Sequence, residues 1–205
     1  GEELMGKGEK EKKDLYIEGV QNNGIINHYE YIINSEGTIE IRHVLKPEGK
    51  MPLWFPRIGL TLTVSDALDQ VKWYGRGPQE NYPDRKTGYP TGIYASTVQA
   101  MYEPYLMPQD YGLRTDVRWL QLTTDKGIGL QFKMNEWFNF NIYPYSTDNL
   151  TKAMYTYQLQ KQKGMTLNLD YATTGVGCTA RGVFGAYKAM PQEYRRTISI
   201  RPMMK

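Results

Sequence analysis

The stretch that decides how this chain is interpreted is residues 75–85, GRGPQENYPDR, which follow directly after Trp73 and Tyr74. It contains two glycines and two prolines. Neither residue suits the interior of a helix or strand, because proline lacks a backbone donor and glycine costs conformational entropy. The stretch, called the corner below, therefore predicts an ordered turn whose arginines and acids can pair with one another. Strand patterns lie on both sides of it, so the chain is organised around this corner.

Composition indicates a globular chain with one sizeable core. Of the 205 residues, 40% are hydrophobic and 23% are charged, which fits one ordinary all-β domain. The 17 tyrosines stand beside 4 tryptophans and 5 phenylalanines. Such side chains suit half-buried sheet surfaces, and they also suit patches that face sugar or protein. We attribute most of them to sheet propensity.

Charge and apolar patterning exclude several classes of partner. The net charge is +3 without a clustered basic face, which argues against nucleic acid. No apolar run reaches the roughly 18 residues of a membrane span. The single Cys178 cannot form an intrachain disulfide. Mixed charges over residues 7–13 predict a solvated lead-in (residues 1–13) before a domain of residues 14–205, and Gly1 suggests a piece of a longer protein.

Alternation of apolar and polar residues predicts ten or eleven short strands. Their ranges are 14–20, 29–33, 38–46, 57–64, 70–74, 93–99, 113–124, 128–134, 138–142, 165–171 and 194–201. The one predicted helix covers residues 147–153, with Thr147 as its cap. Many short strands with almost no helix predict an all-β, antiparallel sandwich or barrel.

Three charged residues after the second proline-rich loop predict a contact with the corner. Arg114, Asp116 and Arg118 are spaced two apart and would project from one face of a strand. Glu80 and Asp84 are their candidate acidic partners. We interpret these charges as braces between two loops, with ligand binding as the alternative.

A search for catalytic chemistry finds no complete site. His28 and His43 lie in strand pattern and are interpreted as surface residues, since a zinc site needs more ligands at motif spacing. Residues 175–182, GVGCTARG, lack the strand and helix that a phosphate loop requires. No two carboxylates stand out as general acid and nucleophile.

Residues 51–55, MPLWF, predict a loop that is either pinned to the core or exposed to a partner domain.

The corner and its flanks resemble a known family. Residues 71–85, VKWYGRGPQENYPDR, are similar to the C-terminal domain of the large bacterial β-galactosidases of glycoside hydrolase family 2. The same domain is the separate small chain of two-chain β-galactosidases. The resemblance continues through residues 56–62 (PRIGLTL), 102–108, 112–120 (GLRTDVRWL) and 138–146 (FNFNIYPYS), and it covers about residues 14–201.

This resemblance implies a galactose-mutarotase-like antiparallel β-supersandwich. In the family, the catalytic glutamates lie on a separate (β/α)₈ barrel, which the C-terminal domain supports while lending a rim to the active site. The parent would hydrolyse terminal β-D-galactosides with retention, and this chain alone would be inactive and carry no catalytic residue. The resemblance also leads us to expect that the family's domain has further N-terminal strands beyond those predicted here.

The resemblance further implies that no cofactor or metal binds this chain, although parents often use Mg and Na or K ions on other domains. A homo-oligomer of the full-length protein is expected. The family allows either the cytoplasm or the periplasm.

One loop departs from the family pattern. In the family, the contribution of this domain to the active site is a glycine-rich loop. That loop ends in aspartate, serine and a tryptophan that stacks on the sugar. This chain keeps Gly175 and Gly177, but Gly182 stands about where the tryptophan would be. The predicted substrate-binding residues are therefore Arg181, Gly182 and Phe184, with Phe184 in place of the tryptophan and Arg181 as a donor to sugar hydroxyls.

Two other functions remain open. One is an independent carbohydrate-binding β-sandwich module. The other is a free-standing mutarotase-like epimerase, which needs a histidine and a glutamate on one concave sheet, and His28 and His43 are the histidines available.

Overall fold

Ten antiparallel strands form almost all of the regular structure in the computed structural model, which describes residues 13–16, 24–178 and 182–204. The strands are β1 (Lys13–Tyr16), β2 (Gly24–Ile33), β3 (Ile39–Glu48), β4 (Arg57–Val64), β5 (Gln70–Arg76), β6 (Thr91–Thr97), β7 (Arg114–Thr123), β8 (Gly129–Tyr143), β9 (Met165–Thr173) and β10 (Tyr194–Met203). One helix, α1 (Thr147–Lys152), and two 3₁₀ turns, Thr156–Gln158 and Gly185–Tyr187, complete the described elements. The predicted all-β, antiparallel fold is confirmed.

Strand order shows how the sheet closes over its core. The main path runs β1-β2-β3-β10-β8-β7-β5-β6, and β9 pairs with both β8 and β4. Strand β8 is the branch point, because its first half (residues 129–134) pairs with β10 and its second half (residues 139–143) pairs with β9. The result is an antiparallel β-sandwich whose two parts share β8.

Three sequence predictions need correction or fall outside the structure. The strands predicted at 128–134 and 138–142 are one strand, β8, because the exposed residues 135–137 interrupt the burial pattern without interrupting the strand. The helix is capped by Ser146 and not by Thr147, since the Ser146 hydroxyl accepts from the backbone N–H of Asn149 at 3.0 Å. Most of the predicted lead-in and residues 17–20 lie outside the described residues.

The core lies between the two parts of the sandwich and is built largely from β7, β8 and β9. Its largest fully buried side chains are Trp73, Phe132, Phe138, Phe140, Leu120, Leu122, Ile142, Leu167, Leu169 and Ile198. Full burial of one such side chain stabilises the fold by about 1.5–3 kcal/mol. This packing fixes the strand ends from which the corner and its neighbouring loops extend.

His43 lies inside this sandwich, contrary to its interpretation as a surface residue, whereas His28 is exposed as predicted. The ring of His43 is 1% exposed and stacks on Tyr29 at 4.2 Å between centroids. Its Nε2 donates to the side-chain Oδ1 of Asn27 at 2.9 Å, and its Nδ1 accepts from the Tyr171 hydroxyl at 2.7 Å. Burial lowers the pKa of His43 to about 4.

This lowered pKa predicts acid destabilisation. An unfolded chain binds a proton at His43 below pH ~6.5, while the folded chain does so only below about 4, so stability is lost as the pH falls between these values. Between pH 7 and pH 5 the loss from this group should be about 2 kcal/mol. Urea denaturation at both pH values measures it.

A variant that cannot titrate at position 43 isolates the contribution of His43 to the loss of stability in acid. His43→Gln can keep both hydrogen bonds but cannot titrate, so its stability should fall by about 2 kcal/mol less than that of the wild type over the same pH range. Equal losses in the wild type and in His43→Gln would contradict the assignment.

Candidate functional site

The corner connects β5 to β6 and is held by ion pairs to β7. The Arg76 guanidinium donates to Asp116 at 2.5 Å and to the backbone carbonyls of Lys86 and Tyr89 at 3.0 and 2.9 Å. The Lys86 ammonium donates to the other oxygen of Asp116 at 2.8 Å. These contacts lower the pKa of Asp116 against the effect of its burial, which acts in the opposite direction. Asp116 is therefore an ionised anchor for both ends of the corner.

Glu80 is the buried centre of the corner, with 6% of its surface exposed. Its carboxylate accepts from the Tyr82 hydroxyl at 3.1 Å, from Arg85 at 2.9 Å, from the backbone N–H of Gly112 at 2.9 Å and from the Tyr105 hydroxyl. Tyr105 and Gly112 belong to the second composed loop, residues 102–112. The prediction that charges brace the two loops against each other is confirmed at Glu80.

The predicted partners of the charged ladder are wrong. Arg114 is 3% exposed, lies over the Trp73 ring at 5.4 Å and donates to the Gly112 carbonyl. Arg118 lies between the rings of Tyr74 and Trp137, at 5.0 and 4.1 Å. Among the described residues, neither arginine forms an ion pair with Glu80 or Asp84.

The physical reason is that β7 is irregular where the ladder was predicted. Its register against β8 shifts between Arg114 and Val117 and again between Val117 and Trp119. Asp116 also has a positive φ of 54°. Two-residue alternation, on which the ladder depended, does not survive such irregularities.

Asp84 binds a different partner, the glycine loop of residues 174–178. One carboxylate oxygen accepts from the backbone N–H of Val176 at 3.0 Å, and the other accepts from the N–H of Gly177 at 2.7 Å. Gly177 has a φ of 67°, which favours glycine. The corner therefore holds the start of the loop in which the substrate-binding residues were predicted. Sequence alone gives no signal for this pairing, because the two segments are more than 90 residues apart.

Of the predicted substrate-binding residues, Arg181 lies outside the described residues. Gly182 and Phe184 are both exposed, and 65% of the Phe184 side chain is open to solvent. A Cβ added to Gly182 would meet no atom within 4 Å. The structure thus places Phe184 on the surface beyond the anchored loop.

Three segments beside this loop are hydrogen-bonded to one another. Phe55 donates its N–H to the Ala189 carbonyl at 2.8 Å, the Thr174 hydroxyl donates to the Phe55 carbonyl at 2.6 Å, and Gly175 donates its N–H to the Tyr187 carbonyl at 2.8 Å. They carry a set of exposed apolar side chains, called the apolar rim: Leu53, Trp54, Val176, Phe184, Tyr187 and Met190. Residues 51–55 are pinned to the core at Phe55, as one prediction had it, while Leu53 is 85% exposed. Contact of this loop with a partner domain stays a prediction.

One pair of carboxylates needs comparison with a glycosidase site. Arg57 donates to Asp110 at 3.3 Å and to Asp170 at 2.8 Å. Burial raises the pKa of Asp170 to about 6 although Arg57 opposes the shift. A raised pKa suits a general acid, but Asp170 is only 1% exposed and also accepts from Thr173. A substrate cannot reach it, so the pair is structural.

Metal-binding clusters and membrane-spanning helices are both absent from the part of the chain that the structure describes. Within residues 13–16, 24–178 and 182–204, no three His, Cys, Asp or Glu side chains are grouped so that they could hold a metal ion. No helix in the same ranges is long and apolar enough to cross a bilayer.

Fold and site together define an antiparallel β-sandwich with braced loops and an exposed apolar rim. Comparison with known proteins identifies the family. A family model described as "Beta galactosidase small chain" matches residues 6–200, and the chain belongs to this family.

Individual relatives are also β-galactosidases. The chain is 36% identical to the β-galactosidase of Priestia megaterium over 164 residues, which is 80% of this chain and 16% of the relative. It is 39% identical to that of Vibrio cholerae over 60% of this chain and 11% of the relative, and 34% identical to that of Pseudoalteromonas haloplanktis over 72% and 14%. The chain thus spans between 11% and 16% of these relatives.

The Glu80 network predicts a large stability effect. Glu80→Gln should lower the unfolding free energy by about 2–4 kcal/mol, because an amide cannot accept from all of these donors and turns its own N–H groups towards them. Urea denaturation at pH 7 measures the change. Glu36→Gln, at an exposed turn position, is the matched control and should stay within about 0.5 kcal/mol of the wild type. Equal effects of the two substitutions would contradict the role of Glu80.

Proposed function

We propose that this chain is the C-terminal domain of a β-galactosidase of glycoside hydrolase family 2, which hydrolyses terminal β-D-galactosides with retention. The chain supports the catalytic (β/α)₈ barrel of its parent and contributes to the rim of the active site. It is not catalytic alone. Membership of the small-chain family supports the parent activity, and the small share of each relative that the chain spans supports the role of a part.

The observation that carries the proposal is the apolar rim beside the anchored glycine loop. Monomeric proteins rarely expose large contiguous apolar patches unless these bind something. Here the exposed fractions reach 85% at Leu53, 65% at Phe184 and 52% at Val176, on segments that are hydrogen-bonded together. A barrel packed against Leu53 and Trp54 would bury that part of the surface and bring the glycine loop, with Phe184, to the mouth of the active site.

The environments of the two buried carboxylates, Glu80 and Asp170, support the inactivity of the isolated chain. A retaining glycosidase needs two carboxyl groups about 5–5.5 Å apart on either side of the scissile bond. Glu80 and Asp170 are buried and bound by protein donors, so neither can approach a sugar. We place the acid/base and nucleophile on the barrel, and any Mg, Na or K ions on other domains of the parent.

The proposed substrate-binding residues, Arg181, Gly182 and Phe184, follow the anchored residues 174–178 in the sequence. Phe184, exposed and aromatic, is suited to stack on a sugar or its aglycone. Arg181 and Gly182, which precede Phe184 closely in the sequence, are the other two proposed substrate-binding residues. The full-length parent is further proposed to form a homo-oligomer.

Complementation tests the division of labour. The 205-residue chain should not hydrolyse a chromogenic β-galactoside, the remainder of its parent should be nearly inactive, and the mixture should recover activity. Hydrolysis by the chain alone would contradict the proposal. Binding of galactose or lactose by the isolated chain, measured by calorimetry, would instead favour a carbohydrate-binding module.

The apolar rim predicts where the two parts meet. Leu53→Ser should weaken recovery of activity by about tenfold, because about 1.5 kcal/mol of apolar burial is lost. Ile33→Ser, at a 67% exposed position on β2, should leave recovery unchanged. The apparent dissociation constant in the complementation assay measures both. Equal weakening by the two variants would show that the rim is not the docking surface.

A further inference from the structure

We propose that Asp84 is a positioning residue for galactoside binding. It fixes the glycine loop, and through that loop it sets where Phe184, a proposed substrate-binding residue, meets the substrate. This inference rests on the proposed function, because the loop must lie at the parent's active site.

The contact between Asp84 and the loop uses both oxygens of the carboxylate. They accept from the consecutive backbone N–H groups of Val176 and Gly177 at 3.0 and 2.7 Å. Consecutive N–H groups in such a turn form a concave site for an anion, and hydrogen bonds to a charged acceptor are about twice as strong as neutral ones. The loop conformation is therefore coupled to the negative charge of Asp84.

Gly175 shows how closely the loop approaches Asp84. A Cβ at this position would overlap the Asp84 carboxyl group, and the three atoms nearest to it, Cγ, Oδ1 and Oδ2, all belong to that group. A Cβ here would therefore force either the loop or the carboxylate to move, and the nearest atoms it would meet are those of Asp84.

Asp84 is itself held firmly by the fold. It lies inside the short antiparallel bridge between Tyr82 and Arg85, whose backbones donate to each other at 3.3 and 2.8 Å. Both residues bind Glu80 through their side chains. The position of Asp84 is thus fixed by the buried Glu80 network, while the loop that Asp84 holds is largely exposed.

The consequence for catalysis is a selective effect on substrate binding. A loosened loop changes contacts made by rim residues, whereas the acid/base and nucleophile lie on the barrel and stay in place. An interaction made equally in the ground state and the transition state affects KM and leaves kcat unchanged. Asp84 should therefore influence KM more than kcat.

The first test uses the full-length protein that carries this chain. Asp84→Asn keeps the shape of the side chain but turns an NH₂ group towards a backbone N–H. It should raise KM for lactose and for a nitrophenyl galactoside by about fivefold, with kcat within about twofold. Asp125→Asn, in the exposed turn between β7 and β8, is the matched control and should change neither constant.

The second test is a double-mutant cycle. Gly175→Ala should raise KM as Asp84→Asn does, because the new methyl displaces the loop from the carboxylate. In the Asp84→Ala background the atoms that the methyl would meet are gone, so Gly175→Ala should add little. This non-additivity is the sign of a direct contact. Additive effects of Asp84→Ala and Gly175→Ala would overturn the proposal.

Hydrogen exchange provides a readout that does not need activity. The N–H groups of Val176 and Gly177 should exchange faster in Asp84→Asn. Unchanged exchange would show that Asp84 does not hold the loop. Faster exchange with an unchanged KM would overturn the role of Asp84 in substrate binding. Both outcomes differ from failure of the proposed function, in which the wild-type parent itself does not hydrolyse galactosides.

Discussion

The arrangement of loops at this end of the sandwich depends on the burial of one carboxylate, that of Glu80. A buried charge is tolerated only when hydrogen bonds replace its hydration. Glu80 meets this requirement with donors from the corner and from residues 102–112, so neither loop can move without leaving the charge unpaired. The same contacts orient Tyr82 and Arg85, and with them Asp84. The geometry of the exposed glycine loop therefore follows from the electrostatics of a residue that no substrate can touch.

A second network of ion pairs and hydrogen bonds holds the end of residues 102–112. Arg57 on β4 joins Asp170 on β9 to Asp110, and Asn141 on β8 donates to Asp110 at 2.9 Å and accepts from Arg57 at 3.2 Å. These contacts fasten the end of residues 102–112 to the part of the sandwich that β8 shares. The raised pKa of Asp170 is thus a consequence of its structural position, and not a sign of catalysis.

Alternation of apolar and polar residues was sufficient to predict the class of fold, because half-buried strands leave a two-residue pattern wherever they are regular. It failed where strands are irregular, at residues 135–137 of β8 and around Asp116 of β7. His43 could have been placed correctly, since it shares its strand face with Ile41 and Leu45, both buried. The contact of Asp84 with Val176 and Gly177 could not be predicted from the sequence. It joins distant loops through backbone donors, which every residue except proline supplies.

An active-site rim has to meet two demands that conflict within one segment. It must stay exposed until substrate or a partner domain covers it, yet it must hold its side chains in fixed places to be selective. Exposed loops lack the packing that gives strands their rigidity. The proposed rim meets both demands, because the Phe184 side chain is exposed while the backbone of the preceding glycine loop is bound by Asp84. A substitution in the corner can therefore alter the rim without touching it, and a substitution in the rim can leave the corner and the stability of the sandwich intact.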